Sequence, residues 1–208
     1  MKRRESRGRV RNPSAKRPAG KVKLRLVIDE IISHLEKVGR ELSQSESQGI
    51  IDEIESANHV FVYGAGRSGY VARSFAQRLK QMGFDAFFVG DTTTPASGKG
   101  DLLIAVTGSG ETPSVISMLE TGNALGVRQA VVTSNRDGRA SRMAHLTLYV
   151  PGKTKLLERP SHAPFTSLFD VAALSVLDGI TAELMQSSGL TDGTSGEPTR
   201  TWSDRASG

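Results

Sequence analysis

The chain has 208 residues, 37% hydrophobic and 24% charged, enough to bury one substantial core and unlike the composition of a disordered or fibrous protein. It contains no cysteine, which removes disulfide frameworks, thiolate metal sites and thiol catalysis and makes a reducing cytoplasm the simplest setting. The formal charge of +5 is lopsided, because residues 1–25 carry 11 Lys/Arg against one Glu and leave the remainder mildly acidic. Nucleic acid is therefore not expected as a partner of the folded part, whose basic residues would have to be spread over a folded face.

The first 25 residues, "MKRRESRGRVRNPSAKRPAGKVK" and the next two, are like-charged and almost free of apolar side chains. They read as a solvated extension, with weak polyanion contact as the alternative. No apolar run approaches the roughly 20 residues that cross a bilayer, and the N-terminus lacks the apolar core of a secretory signal, so neither membrane insertion nor export is expected.

From Val27 the pattern turns helical, with Val27, Ile28, Ile31, Ile32, Leu35, Val38 and Leu42 on one stripe. That stripe is wide enough to pack on its own domain or on a partner. A second helix is expected from about Ser45, where Gln48 three residues on would complete a capping box. Short apolar runs then alternate with helical stretches. Strands are expected at 59–63, 86–89, 102–107, 129–133 and 146–150, and helices near 68–82, 112–125, 138–143 and 165–186. The runs are continuous rather than alternating, as in strands buried on both faces, and crossover helices between them imply a five-stranded parallel sheet in a three-layer α/β/α sandwich. The domain is set at residues 26–187, between the extension of 1–25 and a Gly/Ser/Thr-rich flexible tail at 188–208.

In such a sheet the ligand sits beyond the carboxyl ends of the strands, where loops enter helices. Three loops fall there. The first, "GAGRSG" (64–69), lets the backbone approach an anion at a helix start, with Arg67 and Ser68 adding donors around Gly66. Its Gly64, Gly66 and Gly69 also satisfy the dinucleotide frame G-x-G-x-x-G, which calls for an acid about 20 residues on; Asp85 and Asp91 neither plainly meet nor plainly fail that demand. The second, "TGSGET" (107–112), sets Thr107, Ser109 and Thr112 around glycines that include Gly110, a donor-rich nest suited to a phosphate monoester. The third, "VGDTTTPA" (89–96), would pass for a turn ending at Pro95, but its place beside the other two brings in Thr92, Thr93 and Thr94.

These stretches, with "YGAGRSGYVARSFAQRL" and the closing "FDVAALSVLDGITAELM", resemble the sugar isomerase (SIS) domain family, and within it the 6-phospho-3-hexuloisomerases, over residues 27–186. The glycine loops are general to phosphosugar-binding SIS domains, and the threonine stretch is more specific. The resemblance implies a flavodoxin-like fold and conversion of D-arabino-3-hexulose 6-phosphate to fructose 6-phosphate through an enediol, without metal or organic cofactor. It further implies the ribulose monophosphate route with hexulose-phosphate synthase as neighbour, and a homotetramer or dimer whose sites are lined by more than one subunit. Arabinose 5-phosphate or heptose phosphate isomerases, and phosphosugar-sensing modules, share the phosphate loops and are the alternatives. The sensor would need a folded DNA-binding domain ahead of the sugar domain, which 25 polar residues cannot supply.

The reaction needs a group that takes and returns a proton. In the family this is usually a glutamate directly after a phenylalanine near the start of the last helix. Here Phe169 is followed by Asp170, one methylene shorter, so Asp170 is the first candidate base and His162, in "RPSHAPF", its rival. The family's closing basic and histidine-bearing segment is replaced by "SGEPTRTWSDRASG", where Arg200 and Arg205 are the candidate substitutes.

Overall fold

The computed structural model describes residues 23–152 and 161–190. The extension before Lys23, the tail after Leu190, and with it Arg200 and Arg205, lie outside the described residues. Two helices come first, α1 (Lys23–Glu41) and α2 (Gln44–Ser56). Strand β1 (Val60–Gly64) leads into α3 (Gly66–Gln81), and β2 (Ala86–Phe88) and β3 (Leu102–Val106) come next. Then come α4 (Pro113–Ala124), β4 (Arg128–Thr133), α5 (Arg139–Met143), β5 (Leu146–Tyr149) and α6 (Ser167–Ser187).

All strand pairings are parallel and the order is β2-β1-β3-β4-β5. This is the doubly wound flavodoxin-like arrangement, with its switch point between β1 and β3. Because side chains alternate across a strand, Val60 and Val62 face one layer and Phe61 the other. The larger core packs α2, α3 and α6 on the sheet and includes Ile50, Ile54, Phe75, Leu79, Phe169 and Leu177. The smaller packs α4 and α5 through Val115, Leu119 and Ala140. Both faces of the central strands are thus covered, which is why their sequences run apolar without alternation.

Two details differ from the expected pattern. The cap of α2 is Ser43, whose hydroxyl accepts the Glu46 N–H at 3.3 Å, two residues before the expected Ser45. The Glu46 side chain does not close a box; it accepts from the Tyr149 N–H at 2.9 Å and from Arg136, tying α2 to β5. Helix α1 starts at Lys23, so Leu24 and Arg25, both good helix formers, are helical. Its stripe divides: Val38 is buried, whereas Leu24, Ile28 and Ile32 are 69%, 48% and 52% exposed. The apolar stripe is broader than the surface α6 offers it.

Candidate active site at the carboxyl end of the sheet

A cavity of about 470 Å³ opens at the switch point, lined by Ala65–Ser68 after β1, Val106–Ser109 and Thr112 after β3, and Phe165 and Thr166 ahead of α6. Its size is in the range of small-molecule sites. The first loop is shaped by its glycines. Gly66 has φ +58, which a side chain would resist, and a Cβ on Gly69 would lie 2.6 Å from the Gly64 carbonyl oxygen, so α3 can start this close to β1 only without one. Among the described residues, neither α3 nor α4 has a side-chain cap bond at its N-terminus. The first amides of α3 and both positive dipole ends therefore remain open, whereas in α4 Pro113 has no N–H and the Val115 and Ile116 N–H groups both go to the Thr112 carbonyl at 3.0 Å.

The second loop is buttressed from behind. The Gly108 carbonyl accepts from Ser134 Oγ at 2.8 Å, Asn135 Nδ2 donates to the Ser109 carbonyl at 2.9 Å, and the Gly110 carbonyl accepts from the Ala140 N–H at 2.9 Å. Gly110 has φ +68 and packs on Gly138, so it shapes the loop without lining the cavity. Thr107 and Thr112 hydroxyls lie 3.4 Å apart beside the cavity.

Asp170, buried in the first turn of α6, stands behind these loops. Its Oδ2 accepts from Arg67 Nε at 3.0 Å and Thr166 Oγ1 at 2.7 Å, and its Oδ1 from Ser68 Oγ at 3.0 Å. All three donors also line the cavity. A carboxylate accepts about four hydrogen bonds, so Oδ1 keeps one direction open.

The structure thus brings Gly66, Arg67, Ser68, Thr107, Ser109 and Thr112 around one cavity with Asp170 adjoining. Thr92, Thr93 and Thr94 do not line it: they form a turn after β2 in which Thr94 Oγ1 donates to the Phe88 carbonyl at 2.8 Å. His162 is exposed and also does not line it; its backbone N–H is bonded to Glu30. Phe165 and Thr166 went unnoticed in the sequence, where only their closeness to Asp170 could have drawn attention. The acid nearest to a dinucleotide role, Asp91, is paired with Arg73 at 2.5 Å, and that guanidinium covers the Phe88 ring at 3.7 Å. The carboxyl end of β2 is thereby occupied by protein groups.

Comparison with known proteins gives the family. The SIS domain family model matches residues 53–177. The chain belongs to the SIS domain family. It is 36% identical over 166 residues to 3-hexulose-6-phosphate isomerase of Bacillus subtilis (strain 168), covering 78% of this chain and 90% of that SIS relative. The protein of the same name from Methanocaldococcus jannaschii is 36% identical over 143 residues, covering 69% of this chain and 76% of the relative. A crystal structure from Methanococcus jannaschii, for which a function of 3-hexulose-6-phosphate isomerase was inferred, superposes with TM-score 0.67 at 33% identity over 82% of this chain and 93% of that one. Among the described residues of this SIS domain, no group of three or more His, Asp or Glu is placed to hold a metal, and no helix is long and apolar enough to cross a membrane.

Proposed function

We propose that this SIS domain interconverts D-arabino-3-hexulose 6-phosphate and D-fructose 6-phosphate. The observation that carries the proposal is the cavity where two uncapped helix starts, a set of hydroxyls and Arg67 come together, with the buried Asp170 carboxylate in the adjoining recess bonded to the lining side chains Arg67, Ser68 and Thr166. The names of the relatives supply the sugar; the geometry supplies the chemistry. Amides of α3 and the dipole end of α4, with Ser109 and Thr112, hold the phosphate, as open helix N-termini do for anions.

The carbonyl moves from C3 to C2. A base takes the C2 proton while the C3 oxygen gains one, giving an enediol; a proton then returns to C3 as the C2 hydroxyl loses its own. We assign the proton transfer to Oδ1 of Asp170, the oxygen with an open direction, and oxyanion stabilisation to Arg67 and Thr166. Thr92, Thr93, Thr94 and His162 are left out of this set because none lines the cavity and, unlike Asp170, none is bonded to a side chain that does.

A phosphorylated sugar substrate implies the cytoplasm, where such sugars are made, and a synthase forming the hexulose phosphate as the neighbouring step. A second copy of the chain is the natural cover for Leu24, Ile28 and Ile32, spaced four apart on one face of α1. Ile28→Glu/Ile32→Glu lowering the mass in sedimentation would support that assembly, and a wild-type monomer would end it.

The central test is fructose 6-phosphate formation from enzymatically generated D-arabino-3-hexulose 6-phosphate, wild type beside Asp170→Asn. Turnover in the wild type, reduced by about 10²–10⁴-fold in the variant, is expected. Full activity in the variant would remove Asp170 from the chemistry. Phosphosugar binding without wild-type turnover would favour a different sugar or a sensor.

A further inference from the structure

Helix α1 lies outside the cavity, yet two of its side chains reach the connection from β5 to α6. Glu30 and His34 are one helical turn apart and share a face. His34 is buried, and its Nε2 lies 3.0 Å from the carbonyl oxygen of Pro151, just after β5; a carbonyl only accepts, so this nitrogen is the donor. Glu30 Oε2 accepts two consecutive backbone N–H groups further on, His162 at 2.6 Å and Ala163 at 3.0 Å. One helix face thus holds the described residues on both sides of segment 153–160.

The residues just beyond Ala163 give that grip its consequence. Phe165 has φ +50, the one non-glycine residue in the left-handed region among the described residues. Bulky side chains adopt that conformation only when surrounding contacts enforce it. On the helix side those contacts are the Ser167 N–H to the Pro164 carbonyl at 3.1 Å and Thr166 Oγ1 to Asp170. On the other side they are the two amides held by Glu30. The outcome is a ring that is 78% exposed yet lines the cavity, next to a hydroxyl bonded to the buried carboxylate.

We infer that Glu30, with His34 behind it, is a positioning residue: by holding the amides of His162 and Ala163 it keeps Phe165 and Thr166 at the mouth of the phosphosugar cavity. Burial alone would raise the Glu30 pKa, but it lies below the ordinary carboxylate value because bonds from Ser161, Ala163 and His162 favour the charged form. That direction fits a carboxylate that functions as an acceptor. The inference rests on the phosphosugar reading of the cavity and adds a residue that never touches the ligand.

The test is a kinetic comparison of wild type, Glu30→Ala and Glu30→Gln, each also made in a Phe165→Gly background. Glutamine keeps an oxygen for the two amides, and alanine favours the helix, so neither change threatens α1. Glu30→Ala should lower kcat/KM for the hexulose phosphate about tenfold, with KM raised through Phe165 and kcat lowered through Thr166, and Glu30→Gln should restore most of the loss. In the Phe165→Gly background, where glycine accepts the left-handed backbone unaided, the effect of Glu30→Ala should shrink to about twofold. An unchanged kcat/KM in Glu30→Ala, failure of glutamine to rescue, or an equal effect in both backgrounds would overturn the inference. If the wild type shows no turnover, the isomerase proposal fails by itself. The same six proteins are then compared by calorimetric affinity for fructose 6-phosphate, where the same pattern supports the positioning role and its absence ends it.

Discussion

At the amino ends of β1 and β3, His59 Nδ1 donates to Asp101 Oδ1 at 2.9 Å, and the other oxygen of Asp101 takes the Gly98 N–H at 2.8 Å. Lys80 pairs with Asp85 nearby at 3.0 Å, and Arg128 is bonded to Glu53 by both Nε and Nη2. At the carboxyl ends of the same two strands, α3 and α4 start without side-chain caps, and Ser109 and Thr112 sit beside a cavity. One end uses its polar groups on itself; at the other, beside the bonds to Asp170, helix starts and hydroxyls are left facing a cavity. A parallel sheet makes this division natural, because the carboxyl ends of β1 and β3 each feed a helix N-terminus at the switch point.

If the division holds, changes at the carboxyl end should cost binding and leave stability alone. Thr112 is the N-cap position of α4 but makes no cap bond, and the Ser109 hydroxyl accepts only a 3.2 Å local bond from the Glu111 N–H. The double variant Ser109→Ala/Thr112→Ala removes two donors to the phosphate at little structural cost. KM for the sugar phosphate should rise by about 150-fold or more, two charge-assisted hydrogen bonds at the low end of their range, with a melting temperature within about 2 °C of wild type. A large drop in melting temperature with unchanged KM would reverse the assignment of the two ends.

The mirror-image experiment is at Asp101. Its side chain is 7% exposed and serves one side-chain and one backbone donor, so Asp101→Ala leaves both unmet. The expected cost is about 2 kcal/mol, or roughly 4–8 °C in melting temperature for a domain of this size, with kcat/KM unchanged. Urea unfolding and steady-state kinetics on the same preparation would decide it. A selective loss of turnover would mean that the amino end communicates with the site.

The sheet was legible because its strands are apolar on both faces and end in glycine or hydroxyl clusters; β1 and β3 were expected within a residue of where they lie. The loops that rim the cavity were legible in part, since Gly66 and Gly110 mark positive φ and Thr107, Ser109 and Thr112 share one rim. Side-chain direction was not. Thr92–Thr94 look from the sequence like the two hydroxyl loops, yet Pro95 and the Asp91–Thr94 turn bond direct the Thr94 hydroxyl back to Phe88. Phe165 was unreadable because nothing in a sequence marks a phenylalanine held at φ +50 by its neighbours. The Glu30 contact spans 132 residues, and in the sequence Glu30 is simply a polar residue off the apolar stripe of a helix.

The weakest test of the comparison is the pair at the edge of the amino end. Arg128, 55% exposed, bonds Glu53 through two nitrogens, and this partner raises its pKa above the ordinary arginine value. Bidentate geometry favours the pair, but solvent screens it and arginine keeps its charge throughout the accessible pH range, so no titration of Arg128 shifts stability there. Arg128→Ala should therefore lower stability by less than about 1 kcal/mol, an effect that shrinks further in high salt, and leave kinetics untouched. A salt-insensitive loss of several kcal/mol would show that the guanidinium acts through packing rather than charge. The amino end would then owe its stability to close contact between α2 and β4 and not to mutual neutralisation.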